Sequence, residues 1–461
     1  MLVTGAILAL ACGSGTSAAP EAPSTGGTPA GEGAGVFPLR IAASGRYLVD
    51  QHGTPWPLLG DAGWSAVGQL TDGEKLTYLD GLKALGFNLT LVTLVETAYS
   101  DFVPGNAYGE PPFTGTIFRS APNEAYWARV DAYVRAAGER GITVLMTPAY
   151  IGYGGDGVGS LMVAASNAQM QAYGEFLGTR YRGHPNVMWM IGGDRTTTDP
   201  TLLARSNAVA VGIKNRDPNH LMTAHTADGV TAASQWGVYP WLDVNAGYFI
   251  EADKYVAQNA AAYADTPTRP VFNVEGIYEQ ERSPVISYRD LRYQAWAALM
   301  TGSFGHIFGN NPRWHMGSGY IFPSQGTWQQ SLTTAPYNKG SLQFTLFGSF
   351  VRANSGWAQT VPDTGYTFLT GGEGSGNDQA AARFSAAARL GLVYLPSARP
   401  ITLDLTEFAG VAGQVQVRRY DPTNGSYSSV GTYPTTGPQT IPSLGANADG
   451  ASDWVIVVTP P

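Results

Sequence analysis

Two short apolar segments of the sequence each lead directly to a carboxylate. Residues 187–193 precede Asp194, and residues 271–274 precede Glu275. Apolar runs of this length are typical of fully buried strands, and the parallel strands of a barrel carry catalytic residues at their carboxyl ends. Two carboxylates presented in this way are the groups that cleave a glycosidic bond. The pattern therefore indicates glycoside hydrolysis.

Asp194 is the candidate general acid and base, which would protonate the leaving oxygen and later activate water. It follows Gly192 and Gly193, which permit a sharp turn and leave room beside the carboxylate. The alternative is that Asp194 caps the helix after its strand, a common role for Asp at a strand–helix junction. The two glycines and the second carboxylate favour the catalytic interpretation.

Glu275 is the candidate nucleophile, which would form a glycosyl-enzyme intermediate. Asn273 should share its side-chain direction, because side chains alternate along a strand. Glu279 lies in the following loop and is the alternative nucleophile; otherwise it would hold the site by hydrogen bonds. In a retaining enzyme the two catalytic carboxyl groups should lie about 5–5.5 Å apart, against about 6.5–9.5 Å in an inverting one.

Further polar and aromatic residues follow the predicted strands at the same edge. Binding pockets for small molecules combine aromatic faces with a few fixed polar groups, and this edge supplies both kinds. Each residue alone is more often structural, but their shared placement indicates a substrate cleft. The candidate substrate-binding residues are Asp61, Trp64, Glu96, Tyr150, His225, Tyr248, Glu279, Asn310 and Trp314.

Other chemistries find little support in the sequence. The six His residues include no HExxH pair and the single cysteine is Cys12, so neither a metal site nor a cofactor is predicted. No GxSxG or GxxxxGK[ST] motif occurs, which disfavours a serine hydrolase and an NTPase. A formal net charge of −8 argues against a nucleic-acid partner, which requires a basic face.

Residues 37–359 alternate apolar runs with amphipathic segments, as a (β/α)₈ TIM barrel requires. A doubly wound sheet is disfavoured because no GxGxxG follows the first strand. Helices are expected from a capping box at Thr71–Glu74 to Leu85, from Asn123 to Arg140, and over 168–181. The predicted strands are 57–59, 88–95, 142–147, 187–191, 221–224, 244–247, 271–274 and 305–308.

Two long connections on the carboxyl side of the strands, 97–123 and 150–167, are rich in Pro and Gly. Long loops in a compact domain are commonly functional, so both are expected to form walls of the cleft. After residue 361 the pattern changes to alternating runs separated by turns, which predicts a small all-β sandwich. The expected domains are a leader and linker over 1–35, the barrel over 36–360 and the sandwich over 361–461.

The amino terminus has the pattern of an export signal. Residues 1–11 are apolar and end in small residues, Cys12 follows, and the chain is then rich in Gly, Ser, Pro and Ala to about residue 35. This arrangement resembles a bacterial lipoprotein signal with Cys12 as the acylated residue, and predicts an exported protein, either anchored at the cell surface or secreted. An ordinary signal peptide with an incidental cysteine is the alternative.

Several segments together resemble the apiosidase-like glycoside hydrolases. The resemblance implies a retaining (β/α)₈ enzyme of polysaccharide-degrading bacteria, with Asp194 as acid/base and Glu275 as nucleophile. Residues 393–396, 420–425 and 453–454 resemble the β-sandwich, named for collagen binding, that follows such barrels, although packing against the barrel is its expected role here. The segments that resemble the catalytic family are 37–64, 122–127, 189–194, 221–225 and 275–279.

The expected function is cleavage of a polysaccharide or oligosaccharide by an apiosidase-like or related furanosidase. Two alternatives remain: a barrel that binds glycan or matrix without turnover, and an endo-glucanase on the same barrel. The sequence leaves open the sugar, the linkage, exo or endo action and the oligomeric state.

Overall fold

The computed structural model of the protein describes residues 36–281, 286–319 and 325–461. Its first part is the predicted barrel, in which parallel strands follow the order β5-β4-β3-β2-β1-β8-β7-β6. The barrel is nearly closed, since the backbone N–H groups of Asp243 and Val244, just before β6, donate to the carbonyl oxygen of Met222 in β5. The strands are β1 Leu58–Ala62, β2 Leu89–Thr93, β3 Thr143–Thr147, β4 Val187–Gly192, β5 Met222–His225, β6 Asn245–Tyr248, β7 Val271–Glu275 and β8 Gly305–Asn310.

Helices cover the outside of the barrel, and the three helices expected from the sequence are confirmed. Thr71 forms its capping box with Glu74, Asn123 caps the next helix, and Ser166 forms a second capping box with Gln169. Because helices cover the barrel and side chains fill it, every residue of β1 to β5 is buried. The helices are α1 Asp72–Ala84, α2 Glu124–Glu139, α3 Asn167–Tyr181, α4 Pro200–Arg216, α5 Ala232–Trp236, α6 Tyr255–Ala264, α7 Tyr288–Met300 and α8 Lys339–Ala353.

Short elements decorate the loops. Before β1 a small antiparallel sheet joins Arg40–Ile41, Leu48–Val49 and Pro55–Trp56. After β7 the two-residue strand Tyr278–Glu279 pairs with the end of β8. Short helices span Ala66–Gln69, Gly159–Ala164 and Gln330–Thr333, and 3₁₀ turns span Ser355–Gln359, Gly376–Asp378 and Thr406–Phe408.

Residues 361–461 form the predicted sandwich of two antiparallel sheets. The larger sheet has the order β9-β11-β12-β17-β14-β15 and the smaller has β10-β13-β16. Buried Val, Ile, Leu and Phe side chains from both sheets form the core between them. The strands are β9 Val361–Pro362, β10 Leu369–Gly371, β11 Ala381–Ser385, β12 Leu390–Leu395, β13 Ile401–Asp404, β14 Gln414–Tyr420, β15 Tyr427–Pro434, β16 Pro438–Ile441 and β17 Trp454–Thr459.

The sandwich packs against the barrel through helix α7. The ring of Trp296 in α7 stacks on that of Tyr394 in β12, with centroids 6.1 Å apart. The guanidinium of Arg292 in the same helix forms two hydrogen bonds of 2.8 and 2.6 Å to Asp453. Both side chains are buried, at 3% and 0% exposure. The two domains therefore share a continuous, packed interface.

The predicted leader and Cys12 lie outside the described residues. Within the described ranges, no helix has the length and apolar character needed to cross a membrane.

Candidate active site

The last residue of β7, Glu275, is turned into the mouth of the barrel by an irregularity in its strand. The pairing of β7 with β6 shifts register between Asn273 and Glu275. Asn273 consequently donates to the hydroxyl of Tyr255 on the outer helix α6 (2.7 Å), whereas Glu275 contacts His225 at the end of β5. The expectation that both side chains point the same way is wrong, because such a shift re-aims a side chain.

Two hydrogen bonds hold the carboxylate of Glu275. Its Oε2 atom lies 2.7 Å from Nε2 of His225, and its Oε1 atom accepts from the hydroxyl of Tyr278 at 2.7 Å. That hydroxyl in turn accepts from the indole N–H of Trp64 at 2.9 Å. The carboxylate is thus fixed by donors while its side chain keeps 12% exposure at the barrel mouth.

His225 has a defined protonation pattern. Its Nδ1 atom lies 2.9 Å from the carbonyl oxygen of Thr226, and a carbonyl only accepts, so Nδ1 carries a proton. A hydrogen bond from Nε2 to an ionised Glu275 then requires the doubly protonated imidazolium. Burial lowers the pKa of His225, but the hydrogen bond and charge of Glu275 outweigh it, and the pKa is raised overall. The hydrogen bonds and the raised pKa together favour the imidazolium form of His225 beside Glu275.

Asp194 stands two residues beyond β4. A Cβ on Gly193 would lie 2.8 Å from the backbone nitrogen of Ile151, so only glycine permits this close path. The alternative that Asp194 caps the next helix is wrong, because α4 begins at Pro200 and its cap is Asp199, which accepts from the N–H of Thr201 at 2.8 Å.

The carboxyl group of Asp194 favours its protonated form. Burial, and next the charge of Glu275, raise its pKa to about 8; Asp156 and Asp228 add to the rise, and His225 opposes it. Across the described part of the chain, no other residue forms a hydrogen bond with this carboxyl group. The site thus combines a fixed carboxylate with a free carboxyl group that holds a proton near neutral pH, which is the division of roles that acid-assisted cleavage of a glycosidic bond requires.

Aromatic rings surround these carboxyl groups. The ring of Trp64 lies 5.1 Å from that of Tyr150 and 5.6 Å from that of His225, and the ring of Tyr248 lies 5.3 Å from that of His225. Burial raises the pKa of both tyrosine hydroxyls, with the charges of Asp194 and Glu275 contributing. Both hydroxyls are therefore neutral and can donate to a sugar oxygen.

Trp314 continues this aromatic row through Tyr99. The ring of Tyr99 lies 5.8 Å from that of Tyr150 and 5.6 Å from that of Trp314. The indole N–H of Trp314 is buried and has no acceptor among the described residues. Trp314 is therefore linked to the rings around the carboxyl groups through Tyr99 and Tyr150.

Three of the predicted substrate contacts are instead buried in one polar cluster outside the barrel mouth. Asp61 accepts from Arg313 at 2.7 Å and from the hydroxyl of Tyr78, on α1, at 2.6 Å. Glu279 accepts from the side chain of Asn310 at 2.8 Å and from the N–H of Gly340, at the start of α8, at 2.7 Å. Asp61, Glu279 and Asn310 are at most 1% exposed, so they hold loops together, contrary to their expected place on the cleft wall.

Glu96 is likewise buried, at 5% exposure. It accepts from the hydroxyl of Ser65 at 2.6 Å and lies against Gly68 in the short helix after β1, where a Cβ would meet its Oε2 atom at 2.6 Å. Burial raises its pKa to about 8. Glu96 therefore supports the loop after β1 and is not accessible to substrate.

Tyr278 is the residue of this site that the sequence did not single out. Its position three residues after Glu275 is the available signal, because a single turn after the strand brings its hydroxyl back to the carboxylate. Within residues 36–281, 286–319 and 325–461, no group of three or more His, Cys, Asp or Glu side chains is arranged to hold a metal ion.

Comparison with known proteins identifies the families of the two domains. A family model described as "Apiosidase-like, catalytic domain" matches residues 42–357, and one described as "Putative collagen-binding domain of a collagenase" matches residues 361–459. A search among curated proteins found no match.

Two solved structures are similar over nearly the whole chain. One, described as a glycoside hydrolase, is 25% identical, with a TM-score of 0.79 over 92% of this chain and 97% of its own. The other, a family 5 glycoside hydrolase from Bacteroides vulgatus, is 25% identical, with a TM-score of 0.80 over 93% of each chain.

Proposed function

The chain belongs to the apiosidase-like family of glycoside hydrolases, and from this premise we propose that it is a retaining enzyme with Glu275 as nucleophile and Asp194 as acid/base. In the first step Glu275 bonds to the anomeric carbon while Asp194 gives its proton to the leaving oxygen. In the second, Asp194 takes a proton from water, whose oxygen displaces Glu275 from the sugar. The proton and the carboxylate are both regenerated.

The observation that carries this assignment is the difference between the two carboxyl groups. Hydrogen bonds with His225 and Tyr278 hold both carboxyl oxygens of Glu275 in place. Asp194 lacks such donors in the described structure, and burial and neighbouring negative charge raise its pKa. An acid must hold a proton and a nucleophile must be held in a fixed position, so the two environments support Asp194 as the acid and Glu275 as the nucleophile.

The loop after β3 supports a cleft for an oligosaccharide or polysaccharide. Its two ends are fastened to the site, since Ile151 donates to the carbonyl oxygen of Gly192 and Val158 donates to that of Tyr150 (3.2 and 2.8 Å). A Cβ on Gly152 would lie 2.0 Å from the backbone nitrogen of Gly157, so the two sides of the loop are in direct contact at these residues. Tyr153 lies in the segment between Gly152 and Gly157, is 69% exposed, and offers an aromatic face to a sugar ring.

The proposed substrate is a polysaccharide or oligosaccharide cleaved by apiosidase-like or related furanosidase action. We test this by measuring sugar released from pectic, arabinan and β-glucan polysaccharides by the wild type, Glu275→Gln and Asp194→Asn. Glu251→Gln is the matched control, because Glu251 is exposed and follows β6 at the same end of the barrel. Release by the wild type and the control, and its loss in both site variants, supports the proposal.

The stereochemistry of the product tests the retaining step. Proton NMR of the first sugar released should show the anomeric configuration of the substrate. Initial release of the inverted anomer would require Glu275 to act as a base on water and would overturn the nucleophile assignment. Glycan binding without turnover by the wild type would instead favour a binding protein.

Export with lipid attachment at Cys12 is a further part of the proposal, and it rests on the sequence pattern. The chain enters the barrel at the end opposite the catalytic residues, where Pro38 and Leu39 line a cavity with Thr143, Val187 and Leu221, at the beginnings of β3, β4 and β5. The described chain thus begins on the side of the barrel away from the catalytic residues. Labelling with a radioactive fatty acid tests this, with incorporation expected in the wild type and lost in Cys12→Ser; equal labelling of the two would overturn it.

A further inference from the structure

The side-chain amide of Gln294, in helix α7, bridges the ends of two catalytic strands. Its Oε1 atom accepts from the backbone N–H of Ile277, two residues after β7, at 3.0 Å. Its Nε2 atom donates to the carbonyl oxygen of Phe249, one residue after β6, at 3.4 Å. Gln294 is 2% exposed, so neither contact competes with water.

The contact to Ile277 lies between two groups of the active site. Ile277 separates Glu275 from Tyr278, whose hydroxyl donates to the Glu275 carboxylate. The backbone also runs very close to the amide, because a Cβ on Gly276 would lie 2.3 Å from Oε1 of Gln294. The position of Gln294 thus determines the path of the turn that carries both the carboxylate and its donor.

The same helix is anchored by the sandwich. Arg292, two residues before Gln294, is paired with Asp453, which also accepts from the hydroxyl of Tyr394 at 3.0 Å. One turn earlier, Arg289 donates to the carbonyl oxygen of Asn377 at 2.7 Å. The helix that holds the catalytic turn is therefore bonded on its other side to the second domain.

We propose that Gln294 is a positioning residue for Glu275, and that the sandwich serves catalysis by fixing helix α7 through the Arg292–Asp453 pair. This inference rests on the proposed role of Glu275 as nucleophile. It gives the second domain a function within the hydrolase, as support for the catalytic turn, that requires no collagen or glycan ligand.

The first test compares Gln294→Met with Gln294→Glu. Met is of similar size and removes both hydrogen bonds, whereas Glu keeps the acceptor for the Ile277 N–H. We expect kcat of the Met variant to fall about tenfold with KM within twofold, since a small displacement of the nucleophile affects the reacting geometry, and kcat of the Glu variant to be largely retained. Gln416→Met, at an exposed position of β14, is the matched control.

Hydrogen exchange at the Ile277 amide gives a readout that needs no substrate. Exchange at this amide should be faster in Gln294→Met than in the wild type and unchanged in the control Gln416→Met. Tyr394→Phe removes one hydrogen bond to Asp453, so exchange should also be faster in that variant, but by less than in Gln294→Met. Unchanged exchange and kcat in Gln294→Met would overturn the positioning role. Unchanged exchange in Tyr394→Phe and in Asp453→Asn would overturn the role of the sandwich. Absence of any turnover by the wild type would count against the proposed function, while the exchange data would still test whether Gln294 and the sandwich hold the turn after β7.

Discussion

The Nε2 atom of His225 lies 2.7 Å from Oε2 of Glu275, and the Nδ1 atom of the same ring faces the carbonyl oxygen of Thr226 at 2.9 Å. Because the carbonyl fixes the proton on Nδ1, His225 donates to Glu275 only as an imidazolium. Burial lowers the pKa of His225, but the hydrogen bond and charge of Glu275 outweigh burial, and the resulting raised pKa favours this form. The histidine predicted to bind substrate therefore acts on the carboxylate.

Replacement of His225 by Ala should lower kcat with little change in KM. A hydrogen bond to a charged group contributes about 1.5–3 kcal/mol, so a fall of roughly 10- to 150-fold is expected if the bond is worth as much in the reaction. Steady-state kinetics on the substrate of the wild type measure this effect. His225→Gln, which retains a donor, should be less impaired; a rise in KM alone would indicate that His225 binds substrate after all.

Asp156→Asn should move the alkaline limb of the pH–kcat/KM profile to lower pH. Asp194 must be protonated to act as an acid, and its pKa is raised by burial, Glu275, Asp156 and Asp228, while His225 lowers it. Removing one negative charge lowers that pKa, so activity is lost at a lower pH. Asp253→Asn makes the same change of charge at an exposed position that is not among the main charges acting on Asp194, and it should leave the limb in place.

Much of the fold followed from the sequence, because buried parallel strands appear as apolar runs and helix caps carry local signatures. The predicted strand 305–308 and the observed β8 differ only at the carboxyl end, where β8 is two residues longer; β1 begins one residue later than the predicted strand 57–59 and ends three residues later. That small difference misplaced two site residues. Asp61 and Asn310 were expected beyond the strands, but both lie within them. Asp61 contacts Tyr78, and Asn310 contacts Glu279, away from the barrel mouth.

The direction of Glu275 depended on tertiary structure. A regular β7 would turn Glu275 the same way as Asn273, toward α6, and the register shift between them reverses it. Pairing irregularities of this kind depend on the neighbouring strand and leave no periodic signal in the sequence. Glu96 was misplaced for a related reason, since the short helix that covers it lies in a different βα connection.

Glu96→Gln should preserve activity and make the protein less sensitive to alkaline pH. Burial raises the pKa of Glu96 from 4.5 to about 8, so the folded state holds a proton there that the unfolded state has released. The proton on Glu96 therefore contributes its full stability to the wild type below pH 4.5, the pKa of this group in the unfolded chain, and the contribution is lost as the pH rises to about 8. The Tm difference between Glu96→Gln and the wild type should therefore grow between pH 4.5 and about pH 8 and then level off. A Tm difference that does not change with pH would contradict the burial of an ionisable group at this position.

Glu279→Gln separates the two candidate nucleophiles. Glu279 is buried and accepts from Gly340 and Asn310, so the amide, which has one acceptor oxygen in place of two, should lower the free energy of unfolding by about 1–3 kcal/mol. The kcat of the folded variant should remain within a few-fold of the wild type, whereas Glu275→Gln should lose activity. Thermal unfolding and kinetics on the same preparations measure both quantities. The reverse result, with an inactive Glu279→Gln of normal Tm, would transfer the role of nucleophile to Glu279.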